Sequence, residues 1–202
     1  DYKRWIEELK SLGGYDTDKP AVDLSKVKRT DAIGSTKQDR AKQNKAKAKA
    51  KTFLTKYCRP AADHPYLTDA RKINADYLKH PKFTNCLRRP LPDSKSPDNV
   101  FAVHFDVDGI TSNESHFVGD DRDCKLYRKD APKCIWHTDD IYSKDIDTIF
   151  IGEAVMDCIS AGSLSAVDMA LMTTGGGFEK DPNSPTMKML IHIFTKTHAT
   201  KI

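Results

Sequence analysis

The chain has 202 residues, 38% of them hydrophobic and 31% charged, with a formal net charge of +4. That length suits one domain or two small ones, and the composition is polar yet sufficient for a core. No run approaches the ~18 apolar residues of a membrane-spanning helix, and Asp1–Lys10 is charged throughout, so neither a spanning segment nor a signal peptide is expected.

Five cysteines (Cys58, Cys86, Cys124, Cys134, Cys158) are scattered and none forms a C-x-x-C pair. This supports neither a zinc ribbon nor a disulfide framework and suits a reducing cytosol. Charge is unevenly spread. Lys26–Pro60 holds twelve Lys/Arg against two acids, Asp31 and Asp39, whereas the rest of the chain is net acidic. Concentrated positive charge fits a polyanion, although a basic run also serves as a solvated helix face.

Tyr2–Leu12 reads as a short amphipathic helix with Trp5, Ile6, Leu9 and Leu12 at helical spacing, ended by Gly13-Gly14. Residues 15–35 read as linker. Thr36–Tyr57 alternates Lys and Ala over 45–51, but both are helix formers and poor strand formers, so a basic helix is predicted. It ends in Phe53, Leu54 and Tyr57, and Arg59-Pro60 breaks it. After His64-Pro65-Tyr66-Leu67, Thr68 is predicted to cap a short helix through Arg71, with a second over Ile73–Leu78. Pro81, Pro90, Pro92 and Pro97 punctuate loops.

From Val100 the period changes to that of strands. Val100–Val107 and Ile110–Val118 flank Asp106-Val107-Asp108-Gly109, a hairpin turn with Gly where positive φ is tolerated. Lys125–Arg128 and Cys134–Trp136 read as short strands. The last sixty residues read strand (147–151), helix (154–161), strand (169–173), glycine loop, helix (184–198). Val155, Cys158 and Ile159 form the apolar face of the first helix, and Met187, Leu190, Ile191 and Phe194 that of the second. Lys201-Ile202 would begin a third strand. This order predicts a parallel sheet with right-handed crossovers.

In such a sheet, ligands bind outside the carboxyl ends of the strands. Glu153 lies at one such end and Gly175, Gly176 and Gly177 at the next. A carboxylate there suits a hard cation such as Mg²⁺, and a glycine loop lets backbone N–H groups approach phosphate. Asp157 follows Glu153 by four residues, on the same face of the first turn. Singly, each feature is ordinary turn and helix-end chemistry. His104 and His116 with Cys124 or Cys134 match no zinc spacing. Trp136 and Tyr127 are of a type that stacks on bases, though aromatic residues on short strands usually fill cores.

Ile149-Phe150-Ile151-Gly152-Glu153-Ala154-Val155-Met156-Asp157 resembles the opening of the Toprim domain of bacterial-type primases, topoisomerases and related nucleases. Strand 169–173 with its glycine loop resembles the next Toprim segment, and Thr197–Ile202 the approach to the third strand. His64-Pro65-Tyr66-Leu67-Thr68-Asp69-Ala70-Arg71-Lys72-Ile73 resembles the entry of phage- and plasmid-encoded primases. Val103–Gly109, Gly119-Asp120 and Lys125–Arg128 resemble their basic strand subdomain. The resemblance covers about residues 45–202.

It implies an α/β (α+β overall) architecture of three parts: N-terminal helices and basic linker (1–56), a basic mixed α/β strand subdomain (57–145), and a partial Toprim, Rossmann-like parallel-sheet subdomain (146–202). It also implies metal-dependent synthesis of RNA primers on single-stranded DNA with Mg²⁺ or Mn²⁺. Glu153 would be the pivotal carboxylate and metal ligand, with Asp157 beside it. Lys125, Arg128 and Lys129 would contact template phosphates, with Arg88 and Arg89 in reserve. Implied partners are single-stranded DNA and nucleotides, with a replicative helicase or another chain completing the sheet, in a bacterial cytosol or phage-infected cell.

Two departures stand out. Position 154 is Ala where the family usually has Gly, and the family's Asp-x-Asp motif, due after Ile202, is not within the sequence. The chain would then be a fragment of a longer primase or a shortened relative. Without that motif the alternative is a non-catalytic nucleic-acid-binding or assembly module derived from such a primase.

Overall fold

A computed structural model describes residues 37–116, 125–174 and 183–202. The expected helix over 2–12, the linker over 15–35, the Gly119-Asp120 pair of the resemblance and the glycine loop at 175–177 lie outside the described residues. Lys37–Ile202 forms one compact unit.

The unit is a mixed α/β fold on an open, mostly antiparallel sheet. Its elements are α1 (Lys37–Lys56), β1 (Cys58–Pro60), α2 (Ala75–Leu78), β2 (Leu87–Pro90), β3 (Val100–Asp106), β4 (Gly109–His116), β5 (Lys125–Tyr127), β6 (Ile135–His137), β7 (Ile149–Gly152), α3 (Val155–Leu164), β8 (Ala170–Thr173) and α4 (Pro185–Lys196). The strands run β1-β2-β3-β6-β8-β7, and β4 and β5 branch from β3. One edge of β3 is taken by β4 along its length. The other is shared by β2, through Leu87↔Ala102, and β6, through His104↔Trp136. Only β7 and β8 are parallel among the named strands, with Ile149↔Ala170 through Gly152↔Thr173. The chain end adds a parallel bridge, Thr148↔Lys201, on the free edge of β7. Where a third strand was expected, Lys201 makes this one isolated bridge and no strand is formed among the described residues.

The parallel sheet is narrower than expected and does not stand apart. β8 pairs antiparallel with β6 through Trp136↔Thr173, so the sheet runs unbroken across residue 146. Thr138 N donates to Leu171 O at 2.9 Å, and Leu171 N donates to Thr138 Oγ1 at 2.9 Å. The buried Lys82 ammonium donates to Asp168 Oδ1 and Met169 O, each at 3.1 Å. These bonds join sequence-distant segments, which local periodicity does not report.

Other differences have local causes. Thr68 caps nothing. Residues Tyr66–Ala70 form a single π-turn whose preceding residue, Pro65, makes no side-chain cap. The cap falls instead to Asn74, whose Oδ1 accepts from Asp76 N at 2.8 Å at the start of α2. Pro90 sits at the end of a strand rather than in a loop, and Pro60, beyond the end of the basic helix, closes the edge strand β1. On α4 the buried stripe is Thr186, Met189, Leu190 and Ile193, while Ile191 is 43% exposed. Two apolar stripes of helical spacing compete on that helix, and contact with Ile135, Ile149 and Met172 selects the one containing Met189 and Ile193.

The sheet is covered on both faces. Val155, Met156, Cys158 and Ile159 of α3 pack with Leu87, Val100, Ala102, Trp136 and Leu171 on one side. On the other, Leu54 of α1 meets Cys58, Phe101 and Val103, and α4 covers Ile135, Ile149 and Met172. The β3–β4 turn has Gly109 at φ +108°, the left-handed region that favours glycine. Asp106 Oδ1 accepts from Asp108 N at 2.9 Å within this turn, and Lys47 of α1 donates to Asp106 Oδ2 at 2.8 Å. The Asp-x-Asp of the hairpin is therefore an anchor for the basic helix.

Candidate functional site

The first candidate is the carboxyl rim of β7 and β8. Gly152 ends β7 opposite Thr173, and Glu153 follows immediately, exposed, one residue before the α3 cap position. Gly152 is required by close approach: a Cβ there would lie 2.5 Å from Cys158 Sγ. Cys158 in turn donates to Met172 O at 3.3 Å, which closes α3 onto β8 directly behind Glu153. Burial pushes the Cys158 thiol up to about 12, with the negative charges of Asp157 and Glu114 adding to it. Cys158 is thus an inert packing group rather than a nucleophile. Asp157 is exposed in the first turn of α3, where its charge complements the helix dipole. Glu153 and Asp157 offer oxygen ligands, the chemistry a hard cation takes. Among the described residues no group of three His, Cys, Asp or Glu side chains is arranged to hold a metal.

The basic candidates divide. Arg88 donates to Thr84 O at 3.1 Å and Cys58 O at 2.5 Å, so its guanidinium ties β2 to neighbouring backbone. Arg89 pairs with Asp98 and, at 3.1 Å, with Asp63. A phosphate would have to displace these partners. Lys125 stands in β5, in register with His116. Arg128 is half-buried, its guanidinium carbon 5.6 Å from the centroid of the Phe53 ring on α1, and Lys129 beside it is exposed. The structure therefore brings Arg128 to α1 and leaves Glu153 on another part of the sheet. Trp136 is fully buried and donates Nε1–H to Cys86 O at 3.0 Å, which makes it a core residue. The Tyr127 ring is covered by Lys133, whose Nζ stands 3.7 Å from its centroid.

Sequence reasoning singled out His104 and His116 only as weak zinc candidates and missed the glutamate, Glu114, that lies with them in a buried polar cluster. Ser112, Glu114 and His116 share one face of β4 with His104 of β3. Glu114 is fully buried. His116 Nε2 donates to its Oε1 at 2.9 Å, and His104 Nε2 lies 3.5 Å from Oε2. Burial alone would push the Glu114 carboxyl up. Hydrogen bonding from the two histidines outweighs burial and holds it well below the usual carboxylate range. The network continues outward: His116 Nδ1 lies 3.4 Å from Tyr66 Oη, which accepts from Arg71 at 2.8 and 3.0 Å. His104 also accepts at Nδ1 from Cys134 N at 3.3 Å, and the buried Cys134 thiol is pushed up to about 12, chiefly by burial. His116 is thus bonded to Glu114, and His104 faces its other oxygen at 3.5 Å. The period-two spacing of 112, 114 and 116 was the available signal.

No helix among the described residues is long and apolar enough to cross a membrane. The chain matches no protein-family model, no curated protein and no solved structure.

Proposed function

We propose that this chain is a primase-like Toprim protein that handles single-stranded DNA and builds RNA primers with Mg²⁺ or Mn²⁺. The observation that carries the reading is the exposed Glu153 at the carboxyl end of β7. That strand is flanked by parallel β8 on one side and by the parallel bridge to Lys201 on the other. This is where an open α/β sheet presents a ligand. The Rossmann-like character of residues 146–202 belongs to the same proposal, with only the β7–β8 pair and the Lys201 bridge supporting it.

A divalent ion would supply Lewis-acid activation of a primer hydroxyl and neutralise the departing pyrophosphate. Glu153 would hold it, with Asp157 as a neighbouring oxygen donor. Gly152 and Cys158 position Glu153 by fixing the turn from β7 into α3. Arg128 and Lys129, with Lys125, would hold template phosphates in a salt-sensitive, sequence-blind manner.

The test is primer synthesis on single-stranded template with Mg²⁺ or Mn²⁺, comparing Glu153→Gln with the parent. Loss of at least a hundredfold in synthesis is expected, with thermal stability unchanged. Equal synthesis by both proteins would remove Glu153 from the chemistry. The second reading, a non-catalytic nucleic-acid-binding module, draws on the basic helix α1 locked to the β3–β4 hairpin by Lys47 and Asp106. A parent that binds single strands but makes no primers, even at high protein and Mn²⁺ concentrations, would favour it.

A further inference from the structure

Helix α1 buries Ala50 and Leu54 against the sheet and turns Lys42, Lys45, Lys49 and Lys51 outward. Among the described residues none of these four forms an ion pair. Beside this ridge runs a shallow groove of about 400 Å³, between α1 and the residue that follows β5. Lys45, Lys49, Phe53, Tyr57 and Arg128 line it, and no carboxylate does so. Phe53 meets Phe101 edge-on at a centroid distance of 5.4 Å and carries Arg128 over its own ring. Phe53 is therefore held from below and covered at its rim. Tyr57 is different: it is 54% exposed, just beyond the last turn of the helix.

We propose that this groove seats a segment of single-stranded nucleic acid, with phosphates against Lys45, Lys49 and Arg128 and an unpaired base on the Tyr57 ring. Charge complementarity selects a polyanion. The exposed ring selects a single strand, because a duplex hides its base faces and offers chiefly phosphate. Arg128 serves both parts, since its guanidinium carbon lies within cation–π range of Phe53, 5.6 Å from the ring centroid, and still carries its charge. As the seat of a primase template the groove rests on the function proposed above. As a binding surface it stands by itself, because α1 lies on the face of the sheet opposite α3, the helix that follows Glu153.

The experiment measures fluorescence anisotropy of a labelled 20-nucleotide oligodeoxythymidylate with the full chain, in EDTA, over a range of salt. Oligouridylate and a 20-base-pair duplex form parallel arms. The Lys45→Gln/Lys49→Gln variant should bind the single strand about tenfold more weakly. Its salt slope should be shallower by roughly 1.4, two phosphate contacts at about 0.7 each. Tyr57→Ser should weaken single-strand binding about tenfold and leave the salt slope and duplex binding unchanged, whereas Tyr57→Phe should bind as the parent. Circular dichroism melts confirm that these exposed positions leave the fold intact.

The proposal is overturned if the parent does not bind the single strand, or if either the double lysine variant or Tyr57→Ser binds it as the parent does. Competition by polyglutamate as effective as by the oligonucleotide would also overturn it, since the surface would then be a generic polyanion patch. The assay runs in EDTA and so requires no metal at Glu153. Failure of primer synthesis with groove binding intact therefore counts against the catalytic reading alone.

Discussion

Two glutamates, one in each half of the sheet, show how differently the same side chain is used. Glu114 lies in the antiparallel half, fully buried between His104 and His116. Glu153 lies at the tip of the parallel pair, exposed and just ahead of α3. A buried carboxylate survives only when its charge is answered by hydrogen bonds, so Glu114 is committed to the fold. An exposed carboxylate at a strand end contributes little to stability and keeps its lone pairs for a ligand. The antiparallel half spends polar chemistry on order, and the parallel rim leaves it open.

The sharpest way to break this contrast is Glu114→Gln. Removing one partner of a buried charge cluster should destabilise the protein by about 3 kcal/mol, seen as a lower midpoint in urea. The pH profile should change with it. Because the folded carboxyl is held below its unfolded value, its stabilisation is fully present above about pH 4.3. It is lost as pH falls toward the depressed folded value. The variant should be flatter than the parent over that acid window. Parallel profiles would mean that Glu114 does not depend on its histidines.

A smaller effect is expected at the rim's foundation. Gly152→Ala drives a methyl into Cys158 Sγ and should cost roughly 1–3 kcal/mol. Cys158→Ala removes the sulfur, so Gly152→Ala should cost less in the Cys158→Ala background than in the parent. Additive losses in this cycle would show that the contact is not what requires glycine at 152.

Smaller again is Lys47→Met. The Lys47–Asp106 pair is partly exposed, 25% and 13%, so its loss should cost about 0.5–1 kcal/mol by thermal melting. The loss should shrink in an Asp106→Asn background, leaving only the 3.5 Å contact with Asp108. The smallest expected effect completes the comparison. Glu153→Gln should shift stability by no more than about 0.5 kcal/mol. A large loss there would place Glu153 in the structural class with Glu114.

Much of the fold was legible because its signals are local. The Lys/Ala composition of α1, the Asp-Gly turn of the β3–β4 hairpin, and the apolar runs of β7 and β8 announce themselves within a few residues. The helix expected from residue 184 begins one residue on, at Pro185, where the structure adds a cap: Ser184 Oγ accepts from Met187 N at 3.2 Å. The position of Glu153 at a strand end follows from the same runs. The sequestration of Glu114, the internal commitments of Arg88 and Arg89, and the pairing of Arg128 with Phe53 were not legible. Each depends on a partner set by pairing between distant strands.

By itself, then, the sequence determined which segments would be helix or strand across most of the described chain, because backbone propensity and apolar period act over one or two turns. Only the tertiary structure decided that β6 joins β8 into one continuous sheet and that Pro60 and Pro90 end strands. It also decided that α4 buries Met189 and Ile193 rather than Ile191. The physical reason is that burial, and the hydrogen bonding that burial demands, is settled by what packs against a residue, and those neighbours come from elsewhere in the chain.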